Sequence, residues 1–176
     1  MKHMILAALI VTLSVSAPAS GSSMKLVGTG EALYMGFITV YDAALYTDDP
    51  ADALEILSPD VSKCLELTYR VSLKPKDFIK GARVVLERQH STEEIDVVRS
   101  EIDRLHRAYV QVEKGDSYRL CYDAATAATT LALNGKELVS ITSRLFGTYY
   151  LGIWLGPEKP LSTSLRKSLL EDGTNG

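Results

Sequence analysis

The sequence predicts an α+β protein built on a mostly antiparallel sheet with helices on one face. Three observations carry that expectation. Strand-like segments fall into two groups, residues 24–73 and 117–141, with helical segments inserted between them and appended after them. Residues 62–73 alternate cleanly, with Leu65, Leu67, Tyr69, Val71 and Leu73 on one face and Cys64, Glu66, Thr68, Arg70 and Ser72 on the other. Asn134-Gly135 supplies the positive φ angles of a tight hairpin turn between two apolar runs.

Taken in order, the chain opens with Lys2 and His3, an apolar run from Met4 to Val15, and small residues around Ala17-Pro18-Ala19. This is the pattern of a secretory signal peptide, assigned to residues 1–19. Its apolar part is about a dozen residues, short of the ~20 a spanning helix needs. No transmembrane segment is therefore expected in the mature chain, and the protein is expected to be exported, to the periplasm in a Gram-negative cell. Residues 20–23 read as a flexible lead-in, 24–171 as one domain and 172–176 as a disordered tail.

Met24 to Val27 starts a strand expected to turn at Gly28 or Gly30. Leu33 to Tyr46 is rich in β-formers, with both phases apolar, and is expected to be a central strand covered on two sides. Together these residues form the hairpin Gly28 to Thr47, expected to supply two central strands. Ala51 to Leu57 reads as a short helix behind Asp49 and Pro50. Lys74-Pro75 opens a helix running to about Arg88 with Phe78, Ile79, Ala82, Val85 and Leu86 at helical spacing. Ser91-Thr92-Glu93-Glu94 has capping-box form, and the helix behind it is expected to reach Val112. Ser117–Tyr122, Thr129–Leu133 and Leu138–Ile141 read as strands, Ser143–Leu155 as an apolar helix stopped by Gly156-Pro157, and Leu161–Leu170 as a final helix.

A net charge of −3 and 23% charged residues show no basic excess, which argues against a nucleic-acid partner. The chain has no G-x-S-x-G elbow, G-x-G-x-x-G fingerprint, P-loop or H-E-x-x-H, so no cofactor is expected. His90 and His106 read as solvated surface residues, and the two cysteines alone do not make a metal site. Cys64 and Cys121 each lie in the polar phase of a strand. Two arrangements fit them, a disulfide between neighbouring strands or two separate buried thiols. Of nine tyrosines, Tyr34, Tyr41, Tyr46 and Tyr69 fall in predicted strands, where apolar rings with hydroxyl tips would suit an amphipathic ligand or simply fill a core.

Four blocks resemble the chalcone isomerase superfamily, in particular its bacterial exported branch. They are Gly28-Thr29-Gly30 through Tyr41-Asp42-Ala43-Ala44-Leu45-Tyr46; Tyr69-Arg70 leading to Asp77-Phe78; Gly115-Asp116 through Asn134-Gly135-Lys136; and Phe146 through Ile153-Trp154-Leu155-Gly156. The resemblance implies an open-faced β-sandwich with a cleft between sheet and helices. In plant chalcone isomerases that cleft uses an arginine to stabilise charge, and a threonine and a tyrosine to hold a water near the ketone. Carried onto this chain, the arginine's place falls at or beside Glu31, the threonine's at Tyr41 and the tyrosine's at Phe78. A carboxylate repels an enolate and a phenyl ring donates nothing, so the resemblance implies a scaffold without its catalytic charge.

The expected function is non-catalytic binding of a small hydrophobic molecule, such as a fatty acid or other lipid, by Tyr41, Phe78, Tyr34 and Arg70. An isomerase or lyase with an altered donor set, and an envelope scaffold protein with an unidentified protein partner, stand as alternatives.

Overall fold

The structure is a computed structural model that describes residues 24–48 and 55–171. The expected signal peptide, lead-in and tail, and most of the expected helix at 51–57, lie outside the described residues; Glu55 to Leu57 form a turn.

Six strands form a single antiparallel meander in chain order: β1 (Lys25–Tyr34), β2 (Ile38–Thr47), β3 (Lys63–Tyr69), β4 (Ser117–Asp123), β5 (Ala128–Leu133) and β6 (Lys136–Thr142). Between β3 and β4 the chain runs through α1 (Pro75–Gln89), α2 (Thr92–Val97) and α3 (Arg99–Ala108), and after β6 it forms α4 (Arg144–Leu155) and α5 (Thr163–Glu171). The period-two pattern puts Tyr41, Ala43, Leu45, Leu65, Leu67, Tyr69, Tyr118, Leu120 and Leu131 on one face, all buried under the helices. Asp42, Tyr46, Glu66 and Arg119 share the opposite face, where Arg119 lies over the Tyr46 ring. The open-faced α+β architecture is as expected.

The hairpin departs from expectation in two ways. It turns at Met35-Gly36, both with positive φ (53° and 80°), whereas Gly28 sits at a register shift inside β1. In addition, β1 is an edge strand, because a meander gives its first strand one neighbour only. Among the described residues no second layer covers the outer face of β2, where Asp42, Ala44 and Tyr46 are only half-buried.

Glycines in β1 let α5 lie directly on the sheet. A Cβ on Gly28 would stand 2.5 Å from the Ser168 carbonyl oxygen, and one on Gly30 would stand 2.8 Å from Leu165 Cδ1. Eight of the twelve residues of α4 are buried, consistent with its apolar sequence; Ser143 caps its N-terminus by accepting from the Phe146 N–H.

The capping box at Ser91 is present, with reciprocal Ser91 and Glu94 bonds. Its helix breaks at Val98 (φ −115°, ψ 16°) and ends at Ala108 rather than reaching Val112. Ile95, Val98, Ile102 and Leu105 are all covered, and beyond Ala108 the chain extends so that Val112 bridges Leu73. Neither histidine is fully solvated. His90 stacks on Tyr149, and His106 is half-buried beside Tyr109 and Tyr150.

Cys64 and Cys121 face each other directly across β3 and β4 and form a disulfide, with Cα atoms 4.0 Å apart. The bond closes a loop of 57 residues containing all three inserted helices. Cys64→Ser/Cys121→Ser should therefore lose about 4 kcal/mol of stability in urea unfolding on the chain-entropy account; an unchanged midpoint would contradict it. Gly28→Ala should cost a further ~1–3 kcal/mol by overpacking against α5.

Candidate functional site

Between the buried face of the sheet and α1 lies a cavity of about 640 Å³. Each aromatic in its wall comes from a different element: Tyr41 from β2, Tyr69 from β3, Tyr118 from β4, Phe78 from α1, Trp154 from α4, and Tyr109 from the extended segment after α3. Tyr69 is the hub, edge-on to Tyr41 at 5.6 Å, Phe78 at 5.5 Å and Tyr118 at 6.0 Å between ring centroids. Phe78 stacks on Tyr109 at 5.0 Å. Each such pair adds about 0.5–1.5 kcal/mol beyond burial, so the wall is stiff.

The hydroxyls are arranged unequally. Trp154 Nε1–H donates to Tyr41 Oη at 2.9 Å, which leaves the Tyr41 proton free for another acceptor. Tyr109 and Tyr150 share a hydrogen bond of 2.8 Å, and Tyr118 Oη bonds both the N–H and the carbonyl of Val110. Among the described residues the Tyr69 hydroxyl has no hydrogen-bond partner. Burial pushes Tyr41 up to about 12, with the Trp154 bond opposing. Tyr69 is also raised well above a normal phenol by burial, and then by its tyrosine neighbours. Both are therefore neutral donors at any physiological pH.

Charge is confined to the mouth. Asp77, Lys80 and Arg88 of α1 line the cavity but are solvent-exposed. Asp77 accepts from the Lys74 N–H, and Arg88 donates to the carbonyls of Lys159 and Pro160. The lip opposite consists of Leu33, Tyr34 and Ile38, all exposed. Gly81 sits at the centre of the cavity-lining face of α1, with nothing within 4 Å of where a Cβ would stand.

Of the residues expected at the site, Tyr41 and Phe78 lie in the wall and Tyr34 at the lip. Arg70 is not part of the cavity. Its guanidinium, just beyond the end of β3, pairs at 2.6 Å with Asp42 on the polar phase of β2. Glu31 is not part of the cavity and accepts from Thr39 Oγ1, whereas its neighbour Ala32 is buried and lines it. The expected site omits Tyr109, Tyr118, Trp154, Lys80 and Arg88, which line the cavity, and Tyr69 enters the sequence reading only as one of four strand tyrosines. Tyr69 was recoverable, since it continues the buried phase of Leu65 and Leu67.

An antiparallel sheet roofed on one side by helices, with an aromatic cavity between the layers, defines the open-faced β-sandwich class. Residues 9–171 match the family described as chalcone isomerase-like, and the chain belongs to that family. No curated protein sequence matches it. Among solved structures, the fold is similar to a fatty-acid binding protein of Arabidopsis thaliana, with 20% identity, a TM-score of 0.64, and coverage of 89% of this chain and 92% of that one.

The buried titratable groups set an alkaline profile. Lys63, buried with its Nζ donating to the Ser58 carbonyl, is lowered to about 8 by burial, with Asp48 opposing. Unfolded lysine titrates near 10.4, so between these values the unfolded chain binds more protons and stability rises with pH. Tyr41 has the opposite sign: its contribution is full below the unfolded value of about 10 and is lost as pH climbs toward 12. The melting temperature should rise from pH 8 to about 10 and then fall. Lys63→Met should remove the rise and Tyr41→Phe should shrink the fall; a flat profile in the wild type would contradict both assignments.

Proposed function

We propose that this protein binds a single-chain lipid such as a fatty acid, holding the hydrocarbon in the aromatic cavity without transforming it. The observation that carries the reading is an open cavity of about 640 Å³ whose interior offers rings and neutral hydroxyls while its cations stand at the mouth. That volume lies within the ~300–1,000 Å³ of small-molecule sites. Burying a carboxylate without a cation is costly, so a charged head group stays at the mouth, within reach of Lys80 and Arg88. The apolar tail then lies against Tyr69, Phe78 and Trp154. The fatty-acid binding activity of the similarly folded Arabidopsis protein supports the same reading.

Catalysis of an enone cyclisation needs a positive group on the developing enolate. No cationic side chain lines the interior among the described residues, and raised phenols donate hydrogen bonds without supplying charge. Chalcone cyclisation in the presence of this protein is expected at the uncatalysed rate.

The proposal includes export, to the periplasm in a Gram-negative cell. The N-terminal apolar run supports it, as does the disulfide, since such bonds persist in oxidising compartments.

Gly81→Leu separates binding from folding. Replacing a mid-helix glycine raises helix propensity by ~0.5–1 kcal/mol, while the side chain fills the cavity. The variant should melt no lower than wild type and bind cis-parinaric acid at least ~10-fold more weakly, a loss of ~1.4 kcal/mol. Equal affinity in the two proteins, or no saturable binding by wild type, would reject the lipid-binding reading.

A further inference from the structure

The β1–β2 hairpin ends in an arrangement that the cavity alone does not explain. Tight hairpin turns ordinarily carry Asn, Asp or Gly, because their positive φ angles and solvent exposure favour small polar residues. Here the turn is Met35-Gly36, flanked by Phe37, and Met35 adopts a positive φ of 53°. Met35 is 71% exposed and Phe37 75%, with Leu33, Tyr34 and Ile38 also exposed beside them. Five large apolar side chains thus crowd one end of an edge hairpin, although exposed apolar residues of a monomer are usually scattered.

We propose that this hairpin tip, together with the cationic edge of α1, docks the protein on an anionic lipid bilayer so that the cavity mouth opens onto the membrane. The proposal rests on the lipid-binding reading for its purpose, but its geometry is separate. Leu33 and Tyr34 at the end of β1, Met35 and Phe37 in the turn and Ile38 at the start of β2 are all exposed, so the apolar surface wraps the tip instead of lying on one strand. A protein partner laid against the hairpin would cover one face. A bilayer surrounds an inserted tip on every side.

Charge and continuity favour the same occupant. Lys80, Val84 and Arg88 fall at four-residue intervals on α1 and all line the cavity, so two exposed cations and an exposed valine form a stripe along the rim of the cavity that the hairpin also lines. Cations at that level meet anionic head groups while the tip enters the acyl boundary. The carboxylate that lines the cavity among the described residues, Asp77, accepts from the Lys74 N–H. Leu33, Tyr34 and Ile38 belong both to the exposed tip and to the cavity lining, which gives a lipid a continuous apolar path from membrane to cavity.

The test uses the purified chain in flotation with vesicles of phosphatidylcholine alone or mixed with phosphatidylglycerol. Met35→Ser/Phe37→Ser changes only exposed turn residues, and Lys80→Glu reverses one exposed rim charge. Wild type should float with the anionic vesicles and weakly with the neutral ones. The turn variant should lose at least ~10-fold in partitioning, and Lys80→Glu should lose the preference for anionic lipid. Cis-parinaric acid binding by the turn variant in solution should stay at the wild-type level. Equal flotation of wild type and turn variant overturns the proposal, as does a wild-type dimer that the turn variant converts to monomer, since the tip would then be a self-association surface. Vesicle binding without parinaric acid binding leaves docking standing and removes the carrier reading. Parinaric acid binding without vesicle binding overturns docking alone.

Discussion

The spacing between sheet and helices is the constraint on which the rest of this molecule depends. At the β1 border, Gly28 and Gly30 bring the sheet backbone against α5 closely enough that a single methyl group would collide with it. At the other border, Gly147 of α4 meets the Tyr122 ring and the Thr129 hydroxyl, where a Cβ would stand 2.7 Å from Tyr122 Cδ2. Between those two contacts the layers are held apart by aromatic side chains, with Tyr41 reaching up to Trp154 and Tyr69 meeting Phe78. A dense protein interior leaves few voids. A cavity of about 640 Å³ persists here because large rigid rings brace the centre while glycines pin the edges.

Polarity follows the same layering. The interior is lined by rings whose hydroxyls stay neutral because burial disfavours their ionised form, whereas lysine and arginine remain at the mouth where water can solvate them. The opposite face of the sheet carries the Arg70–Asp42 pair and the disulfide, neither of which touches the cavity. Charge, covalent bracing and the apolar chamber are thus separated by one strand thickness. That separation follows from period-two alternation.

Much of the fold was legible in local patterns. The alternation through Leu65, Leu67 and Tyr69, the capping box at Ser91 and the Asn134-Gly135 turn each correspond to an element in the structure, because each depends on residues within a few positions of one another. The first hairpin was read less well. Met35 carries no turn signature, whereas Gly28 and Gly30 do, and their absent side chains serve helix packing instead. The break at Val98 was hidden by an apolar stripe that continues through it. At the site, Glu31 and Ala32 show how little separates a cavity residue from an exposed one, since one position along a strand reverses the face.

By itself the sequence determined most of the strands and helices, that the sheet is mostly antiparallel with helices on one face, and that the chain resembles the chalcone isomerase superfamily. The elements and the apolar face follow from periodicity, caps and turns, all of them short-range; the resemblance rests on the order of four residue blocks between Gly28 and Gly156. Tertiary structure alone decided that Cys64 stands opposite Cys121, that Arg70 is paired outside the cavity while Tyr69 sits at its hub, and that Lys80 and Arg88 share its rim. Those outcomes depend on strand register and on how far the helical layer stands from the sheet, quantities set by contacts between residues tens of positions apart.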